Sequence, residues 1–257
     1  MGELTGTDRP GATLQGIHVD AVDLAQLLER VRAFVDDPEP RTVAYVNVHV
    51  LNTAAEDAPL TEFLAGVDLC YADGKGVVLG ARLTGQDLPE RMTGADWIHD
   101  LADACVTHGW KLGWVGGEDG VTAEAAEVMK AAHPGLDVVA THHGFFERTG
   151  PEHDALVDKL NAAAPDIILV GMGTPYQEHW VASARHRLHA PVVWCLGATA
   201  DFISGRTSRG PAFLYNNQEW LARLFVEPRR LWRRYLIGNP RFLARMIRAR
   251  GQARPDG

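Results

Sequence analysis

Asp166-Ile167-Ile168-Leu169-Val170-Gly171-Met172-Gly173-Thr174-Pro175 is the stretch that decides the fold. Its uninterrupted apolar run predicts a strand that is buried on both faces, and the glycines and the proline end it. The pattern after the proline predicts a helix over about residues 176–187. A buried strand followed at once by a helix is the unit from which parallel sheets are built.

The same unit recurs on both sides of this stretch. Strands are predicted over 111–115, 136–140 and 191–196, with helices over about 120–133 and 152–163. Upstream, the patterns predict an edge strand at 13–19, strands at 42–48 and 67–71, and helices over about 24–35, 49–56, 75–83 and 95–107. We predict an α/β fold: a Rossmann-like parallel sheet with flanking helices, plus a basic C-terminal helical appendage. A break in composition near residue 201 divides a core domain (1–203) from the appendage (204–257).

Charge is divided unevenly along the chain. The 257 residues carry 25 Lys+Arg and 33 Asp+Glu, a formal net charge of −8. From Asp201 to the end there are 12 Arg, no Lys and four acidic residues, which gives +8 and leaves −16 for the first 200 residues. A basic tail on an acidic body is typical of a protein whose end faces phosphate groups.

Composition excludes several classes of protein. A hydrophobic fraction of 46% with 23% charged residues excludes wholesale disorder. The sequence contains no run of about 18 apolar residues that would predict a transmembrane helix, and the polar first twelve residues predict no signal peptide. Cys70, Cys105 and Cys195 are far apart, which argues against a disulfide framework or a zinc knuckle. We therefore expect a reduced, cytosolic protein.

Glycine-rich loops follow the predicted strands, at the edge where parallel sheets bind ligands. Gly116-Gly117 precedes a helix whose N-terminus favours an anion. Its spacing is neither a dinucleotide fingerprint nor a Walker A motif, so nucleotide contact and a simple tight turn both stay open. At Gln177-Glu178, ligand contact and a helix-dipole role for the glutamate stay open in the same way.

Two further loops carry charged groups. Asp73 follows an apolar run, where a general base is useful, but Asp-Gly is also a common turn pair or helix cap. The forked guanidinium of Arg91 suits a phosphate or a carboxylate. Asp96 suits either a substrate hydroxyl or the cap of the next helix. The residues alone leave these alternatives open.

Eleven histidines raise the question of a metal site. The closest clusters are His142-His143 and the pair His186 and His189. No His-Glu-x-x-His or Cys/His spacing supports zinc. We predict no metal site and no cofactor.

The tail is the most unusual segment. Residues 221–250 contain nine arginines and a single acid, interleaved with bulky apolar side chains. The pattern predicts basic amphipathic helices, broken near Gly238-Asn239-Pro240, of the kind that lie on anionic membranes. Nucleic-acid binding, a solvated face and an intersubunit helix are the alternatives. We favour the membrane and predict no nucleic-acid partner, because the acidic body would repel one.

Eight short motifs follow one another along the chain. They are Asn47-x-His49, Ala72-Asp73-Gly74-x-Gly76, Arg91-x-Thr93-Gly94-x-Asp96, Gly116-Gly117, Gly144-Phe145-Phe146, Gly173-x-Pro175-x-Gln177-Glu178, Gly197-x-x-x-Asp201-Phe202-x-x-Gly205, and Glu219-Trp220-Leu221-x-Arg223-Leu224-x-x-Glu227-Pro228-x-Arg230-x-x-Arg233-Arg234-Tyr235. In this order they resemble the WecG/TagA/CpsF glycosyltransferase family, over about residues 14–245.

The resemblance implies an inverting, metal-independent transferase. Such an enzyme moves a sugar, often N-acetylmannosamine or its uronic acid, from a UDP donor to an undecaprenyl-diphosphate-linked acceptor in cell-surface polysaccharide synthesis. The resemblance also implies a cytoplasmic protein that is peripheral on the cytoplasmic face of the plasma membrane and forms a homo-oligomer.

The resemblance also implies roles for individual residues. Asp73 matches the catalytic base, and Arg223, Arg230 and Arg233 fall in the appendage that contacts the lipid diphosphate. The other matched positions are expected to bind substrate: Asn47, Arg91, Thr93, Asp96, Gly116, Gly117, Gly144, Gly173, Pro175, Gln177 and Glu178.

The chain departs from the family pattern in places. Tyr45 stands where many members have threonine, residues 197–202 replace a Gly-Gly-Ser/Thr-Phe-Asp-like stretch, and Asn217-Gln218 replaces Gly-Leu. These departures bear on which donor and acceptor are used. Two rival functions are kept. A Rossmann-type oxidoreductase would need a dinucleotide fingerprint that the glycine spacing lacks, and a nucleic-acid-binding module would use the arginine tail alone.

Overall fold

A six-stranded parallel sheet forms the centre of the structure. The computed structural model describes residues 9–89, 92–207 and 228–252. Its strands are β1 (Gly11–Leu14), β2 (Ile17–Asp20), β3 (Arg41–Val46), β4 (Leu69–Ala72), β5 (Lys111–Gly116), β6 (Asp137–His142), β7 (Ile167–Gly171) and β8 (Val192–Cys195). Strands β3 to β8 make up the parallel sheet, in the order β4-β3-β8-β7-β5-β6. The predicted α/β class is confirmed, and β3 and β4 extend the predicted four-strand unit on one side.

Helices flank the sheet. They are α1 (Leu24–Val35), α2 (Val48–Ala54), α3 (Ala58–Gly66), α4 (Lys75–Leu83), α5 (Gly94–His108), α6 (Val121–Ala132), α7 (Pro151–Ala163), α8 (Tyr176–Ala184), α9 (Thr199–Ile203), α10 (Pro228–Trp232) and α11 (Gly238–Gln252). A 3₁₀ turn at Arg185–Arg187 follows α8, and a π-helical turn at Arg233–Ile237 joins α10 to α11.

The N-terminal segment differs from its prediction. The predicted edge strand at 13–19 is wrong, because this segment forms part of a separate two-stranded antiparallel hairpin, β1–β2. Gln15 and Gly16 both have positive φ, at 54° and 83°, so the chain reverses between them. Turns with two positive φ values match the twist of a hairpin, and a glycine adopts the second one without steric cost.

Helix α3 has no counterpart among the predicted helices. Asp57 caps it by accepting a hydrogen bond from the Leu60 N–H at 2.9 Å, and Pro59 lies in its first turn. A polar cap followed by a proline at the first turn is a helix start signal. The sequence patterns predict no helix for this segment, and the structure corrects this prediction.

Aromatic residues fill the core around the sheet. Trp194 on β8 stacks on Trp97 of α5 with ring centroids 4.4 Å apart, and Tyr71 packs edge-on against both rings at 6.2 Å. All three side chains are buried. Cys70, Cys105 and Cys195 are free and buried, as expected for a protein without a disulfide framework. Residues that directly follow β3, β4 and β8 line a common cavity at the carboxyl edge of the sheet.

Three strands approach closely at their carboxyl ends. A Cβ on Gly116 would lie 2.3 Å from the Gly171 carbonyl oxygen, and a Cβ on Gly171 would lie 2.3 Å from the Gly197 carbonyl oxygen. Any side chain at either position would push neighbouring backbone apart. Glycine is therefore required for the close approach of β5, β7 and the turn after β8.

The C-terminal helices pack against the body of the protein. Phe242 is buried, and a Cβ on Gly80 of α4 would lie 2.5 Å from its Cζ atom. Asn52 on α2 donates through Nδ2 to the Gly238 carbonyl at 2.8 Å and accepts at Oδ1 from Arg245 Nη1 at 3.0 Å. These contacts hold α11 against α2 and α4. The division into domains at 203/204 stays a prediction.

The predicted break near Gly238-Asn239-Pro240 is wrong, because the chain is helical throughout 228–252. Pro240 has no N–H, and in a regular α-helix its ring would crowd the Leu236 carbonyl. The π-helical turn directly before it, in which the Gly238 N–H bonds to the Arg233 carbonyl, widens the helix at this place. Among the described helices, none combines the length and the apolar composition needed to cross a membrane.

The glycine contact between β7 and the turn after β8 predicts a stability effect. Gly171→Ala should lower the free energy of unfolding by about 2–3 kcal/mol, because the added methyl group meets backbone that cannot move without disturbing the sheet. Thermal and urea unfolding would measure this loss. The matched control is Gly66→Ala at the end of α3, where a Cβ meets nothing within 4 Å. Equal stability of the two variants would contradict the packing argument.

Candidate active site

A cavity of about 670 Å³ lies between the carboxyl ends of β3, β4 and β8 and the C-terminal helices. The sheet side contributes polar and small residues, and helix α4 and the tail contribute cationic and apolar ones. The lining includes Tyr45, Asn47, His49, Asp73, Lys75, Leu79, Thr93, Gly173, Thr174, Gly197, Leu231, Arg234, Tyr235, Phe242 and Leu243. This is the edge of the sheet at which ligands of parallel α/β proteins bind.

Asp73 and Asn47 form a hydrogen-bonded pair in this cavity. Asp73 directly follows β4, and its backbone N–H donates to the Val46 carbonyl at 2.8 Å. Asn47 caps α2 by accepting from the Val50 N–H at 3.0 Å, so its Oδ1 is occupied and its Nδ2 donates to Asp73 Oδ2 at 3.1 Å. Gly74, not Asp73, occupies the N-cap position of α4. The Asp73 carboxyl group is therefore held as an acceptor at the cavity wall.

Buried polar side chains support the floor of the cavity. Gln177 accepts at Oε1 from the Gly197 N–H at 3.1 Å and donates through Nε2 to Glu178 Oε1 at 2.8 Å. Thr174 Oγ1 donates to the same Glu178 oxygen at 2.8 Å. Burial raises the pKa of Glu178, which favours the neutral acid. The pair thus ties the Thr174 loop to the Gly197 turn rather than lining the cavity itself.

Tyr45 adds a hydroxyl group to this floor. A Cβ on Gly197 would lie 2.6 Å from the Tyr45 Oη atom, so the phenol fits only because residue 197 is glycine. Burial raises the pKa of Tyr45, and the nearby Asp73 raises it further. Its hydroxyl group is therefore neutral at physiological pH and keeps its proton for hydrogen bonding.

Two cationic side chains, from two different elements, line the cavity. Lys75 is the first residue of α4, and Arg234 comes from the π-helical turn of the tail. His49 lies with them but adds no charge, because burial and the neighbouring Arg234 lower its pKa to about 4. The cavity therefore combines a carboxylate with two cationic side chains, which suits a substrate that carries both a hydroxyl group and an anionic group.

Six of the residues predicted for the site lie in the wall of the cavity or directly beneath it. Four of them, Asn47, Asp73, Thr93 and Gly173, come together as lining of the cavity, and Gln177 and Glu178 lie directly beneath it. Asp96 is exposed in the first turn of α5, and Pro175 precedes α8 after a cis peptide bond. Their roles in substrate binding stay predictions.

Gly116, Gly117 and Gly144 lie together at the ends of β5 and β6 and are not part of the cavity lining. The Gly144 N–H donates to the Gly117 carbonyl at 2.8 Å, and a Cβ on Gly144 would lie 3.2 Å from the Gly116 Cα. The structure thus gives these glycines a packing function, which is the tight-turn alternative left open by the sequence. Nucleotide contact at this point stays a prediction.

Of the four predicted arginines, only Arg233 has a side chain that the structure describes. Arg91, Arg223 and the side chain of Arg230 lie outside the described part of the chain. Arg233 is exposed, with its guanidinium 5.2 Å from the centre of the Trp232 ring. Among the described arginines it is the neighbouring Arg234 that lines the cavity, because the π-helical turn sets which side of the tail faces the body.

Sequence reasoning missed Arg234, Lys75, Tyr45 and the apolar residues of the tail as parts of one cavity. Tyr45 was noticed only as a departure from the family pattern, and Lys75 lies two residues after Asp73 in a motif already chosen. In the part of the chain that is described, no group of three or more His, Cys, Asp or Glu side chains is arranged to hold a metal ion.

Comparison with known proteins agrees with this geometry. The model of the "Glycosyl transferase WecG/TagA/CpsF family" matches residues 12–255. A relative from Bacillus spizizenii (strain W23) is 27% identical over 224 residues, covering 86% of this chain and 85% of its own length. A relative from Staphylococcus aureus (strain NCTC 8325) is 24% identical over 238 residues, covering 91% of each. Both are named N-acetylglucosaminyldiphosphoundecaprenol N-acetyl-beta-D-mannosaminyltransferase.

These matches confirm the predicted glycosyltransferase function and do not support the oxidoreductase or nucleic-acid-binding alternatives. A family match across nearly the whole chain and a cavity with a positioned carboxylate lead to the same conclusion: the protein belongs to the WecG/TagA/CpsF family of glycosyltransferases.

Proposed function

We propose that this glycosyltransferase moves N-acetylmannosamine, or a closely similar sugar, from a UDP donor to an acceptor sugar on a polyprenyl diphosphate. The names of the two relatives support this choice of sugar and acceptor. The observation that carries the proposal is the Asp73 carboxyl group, hydrogen-bonded by Asn47 in a cavity that also contains Lys75 and Arg234.

The proposed reaction is a single displacement with inversion. Asp73 takes the proton from the acceptor hydroxyl as its oxygen attacks the anomeric carbon of the donor. The new glycosidic bond forms as the bond between that carbon and the UDP oxygen breaks, and UDP leaves with the bonding electron pair. Asn47 donates to the Asp73 carboxylate through Nδ2 and so holds it in a fixed orientation at the cavity wall.

Charge on the leaving diphosphate has to be balanced in the same cavity. We propose that Lys75 and Arg234 provide this balance without a metal ion, because both line the cavity on its helical side. The neutral Tyr45 hydroxyl lies beside Thr174 at the floor of the same cavity. Placing Arg234 here gives the tail a direct part in the reaction.

The exposed side of the tail is proposed to bind the cytoplasmic face of an anionic membrane, where the lipid acceptor would be found. Arg229 and Arg233 are exposed there beside Trp232 (42% exposed) and Leu236 (57% exposed). Exposed cations beside exposed aromatic and aliphatic side chains are typical of helices that lie in a headgroup layer. Self-association of the enzyme stays a prediction.

Replacement of the proposed base should separate binding from catalysis. Asp73→Asn keeps the size of the side chain but removes its ability to accept the proton, so we expect kcat to fall by about 100- to 10,000-fold while UDP affinity changes little. A UDP-release assay with several UDP-sugars and a short-chain lipid-diphosphate acceptor measures the rate, and calorimetry measures UDP binding. Asp158→Asn, an exposed position on α7, is the control. Turnover near wild type in Asp73→Asn would rule out the base assignment.

Two neighbouring arginines test the electrostatic part of the mechanism. Because Arg234 lines the cavity and Arg233 is exposed, Arg234→Gln should raise the KM of at least one diphosphate substrate by about tenfold, more than Arg233→Gln does. Steady-state kinetics with a soluble acceptor, in the absence of membranes, measures both variants. A larger effect of Arg233→Gln would instead favour the assignment made from the family pattern.

Membrane binding is tested with the outward-facing arginines. The double variant Arg229→Gln/Arg233→Gln should weaken binding to anionic vesicles by about thirtyfold at low ionic strength, since each arginine near the surface contributes about 1 kcal/mol. Co-sedimentation with phosphatidylglycerol vesicles measures the loss, and phosphatidylcholine vesicles give the baseline. The control is Arg32→Gln/Lys111→Gln, which removes two exposed charges from the body. Equal losses in both double variants would contradict a membrane role specific to the tail.

A further inference from the structure

We propose that the apolar wall of the cavity, formed by Leu79, Leu231, Tyr235, Phe242 and Leu243, binds the first isoprenoid units of the lipid-diphosphate acceptor. We call these five residues the apolar wall. The inference rests on the proposed function, because it assigns a binding site to one part of the acceptor. It concerns contact between the hydrocarbon chain and the protein itself, which is separate from attachment of the enzyme to a membrane.

Helix α4 places a cation and an apolar side chain next to each other along the cavity. Lys75 and Leu79 are four residues apart and both line the cavity, as expected for side chains on one helical face. Lys75 follows Asp73 closely in the chain, so the carboxylate, the cation and the apolar residue follow in that order from the end of β4 into α4. A ligand lying along α4 would meet them in the same order.

The tail repeats this arrangement in its own part of the lining. Arg234 lines the cavity together with Leu231 before it and Tyr235 after it. Phe242 and Leu243 continue the apolar surface on α11. Both α4 and the tail therefore carry a cation that adjoins apolar side chains.

The apolar wall runs from the protein interior to solvent. Phe242 and Leu231 are 1% and 2% exposed, whereas Leu79 is 49% exposed. Leu236 and Ile237, which directly follow Tyr235, are 57% and 41% exposed. Exposed large apolar side chains next to a cavity usually mark a ligand or interaction surface. A hydrocarbon chain that begins in the cavity would thus leave it along an apolar surface.

The chemistry of the two substrates decides the occupant. A polyprenyl diphosphate bonds its hydrocarbon chain directly to a phosphate oxygen, so its site needs cations that adjoin an apolar surface. A UDP-sugar has polar groups on both sides of its diphosphate and would leave the apolar wall in contact with water, which is unfavourable. The apolar wall therefore fits the acceptor and not the donor.

The test compares two soluble acceptors that share N-acetylglucosaminyl diphosphate and differ only in a farnesyl or a methyl group. We expect the wild-type enzyme to have the lower KM for the farnesyl acceptor. Leu79→Gln should reduce the ratio of the KM for the methyl acceptor to the KM for the farnesyl acceptor by about tenfold. The reason is that a polar side chain replaces an apolar contact with the farnesyl group. Assays without lipid or detergent remove membrane attachment from the comparison.

The matched control is Val128→Gln on α6, which is 47% exposed and should keep the wild-type ratio. Equal KM values for both acceptors in the wild type, or a Leu79→Gln variant that keeps the wild-type ratio, would overturn the inference. So would a Leu79→Gln variant that loses only vesicle binding, since the residue would then contact bilayer lipid.

Direct binding separates this inference from the proposed reaction. Calorimetry with farnesyl diphosphate and methyl diphosphate needs no transfer. Tighter binding of farnesyl diphosphate that Leu79→Gln abolishes would support the apolar wall even if neither acceptor is glycosylated, in which case the proposed acceptor sugar would be wrong. Equal binding of the two diphosphates would overturn the inference whatever the transfer assay shows.

Discussion

The two hydrogen bonds of the Asn47 side chain join the sheet, a helix and the proposed base. Its Oδ1 caps α2, which leaves Nδ2 to donate to Asp73, and Asp73 is also held through its backbone to β3. The carboxyl group is thus positioned by two neighbouring parallel strands and a helix N-terminus. Rigid elements of this kind hold a reacting group in a productive orientation at little further entropic cost.

The second half of the site comes from the tail, and its position depends on packing. Phe242 lies over Gly80, and Asn52 binds the start of α11, so the tail covers the carboxyl edge of the sheet. Without these contacts the body would present Asp73 and Lys75 on an open surface. With them, Arg234 and the apolar wall face the same space, which becomes a cavity.

The uneven charge of the chain acquires a more specific meaning in the structure. Part of the basic segment pairs with the acidic body, as in Arg206 with Glu124 at 2.6 Å and Arg245 with Glu56 at 3.2 Å. Such exposed pairs contribute little stability each, but they favour one orientation of the tail. Arg229 and Arg233 remain exposed on the outside. The basic segment is therefore not one uniform surface: some of its arginines pair with acidic residues of the body, and others are exposed to solvent.

Local patterns were enough to predict the parallel sheet, since strands such as β7 are continuous apolar runs that end in glycine. They placed Asp73 at a binding edge of this fold but left a turn or cap role open, and it was the family resemblance that made it the candidate base. The hairpin at Gln15-Gly16 and the helix capped by Asp57 were missed because each depends on one or two residues of turn or cap chemistry that have several common uses.

Sequence alone therefore sufficed for the fold class and the family, since these depend on periodicity, composition and motif order along the chain, and the role of Asp73 as the base stays a prediction. Which of the described arginines enters the cavity, and how closely Gly116, Gly117 and Gly144 pack, followed only from three-dimensional contacts. Arg233 and Arg234 are equivalent neighbours in the sequence, but the π-helical turn and the Phe242 contact direct only Arg234 inward. The facing direction of a helix is set by its non-local packing, and that information is spread over residues far apart in the chain.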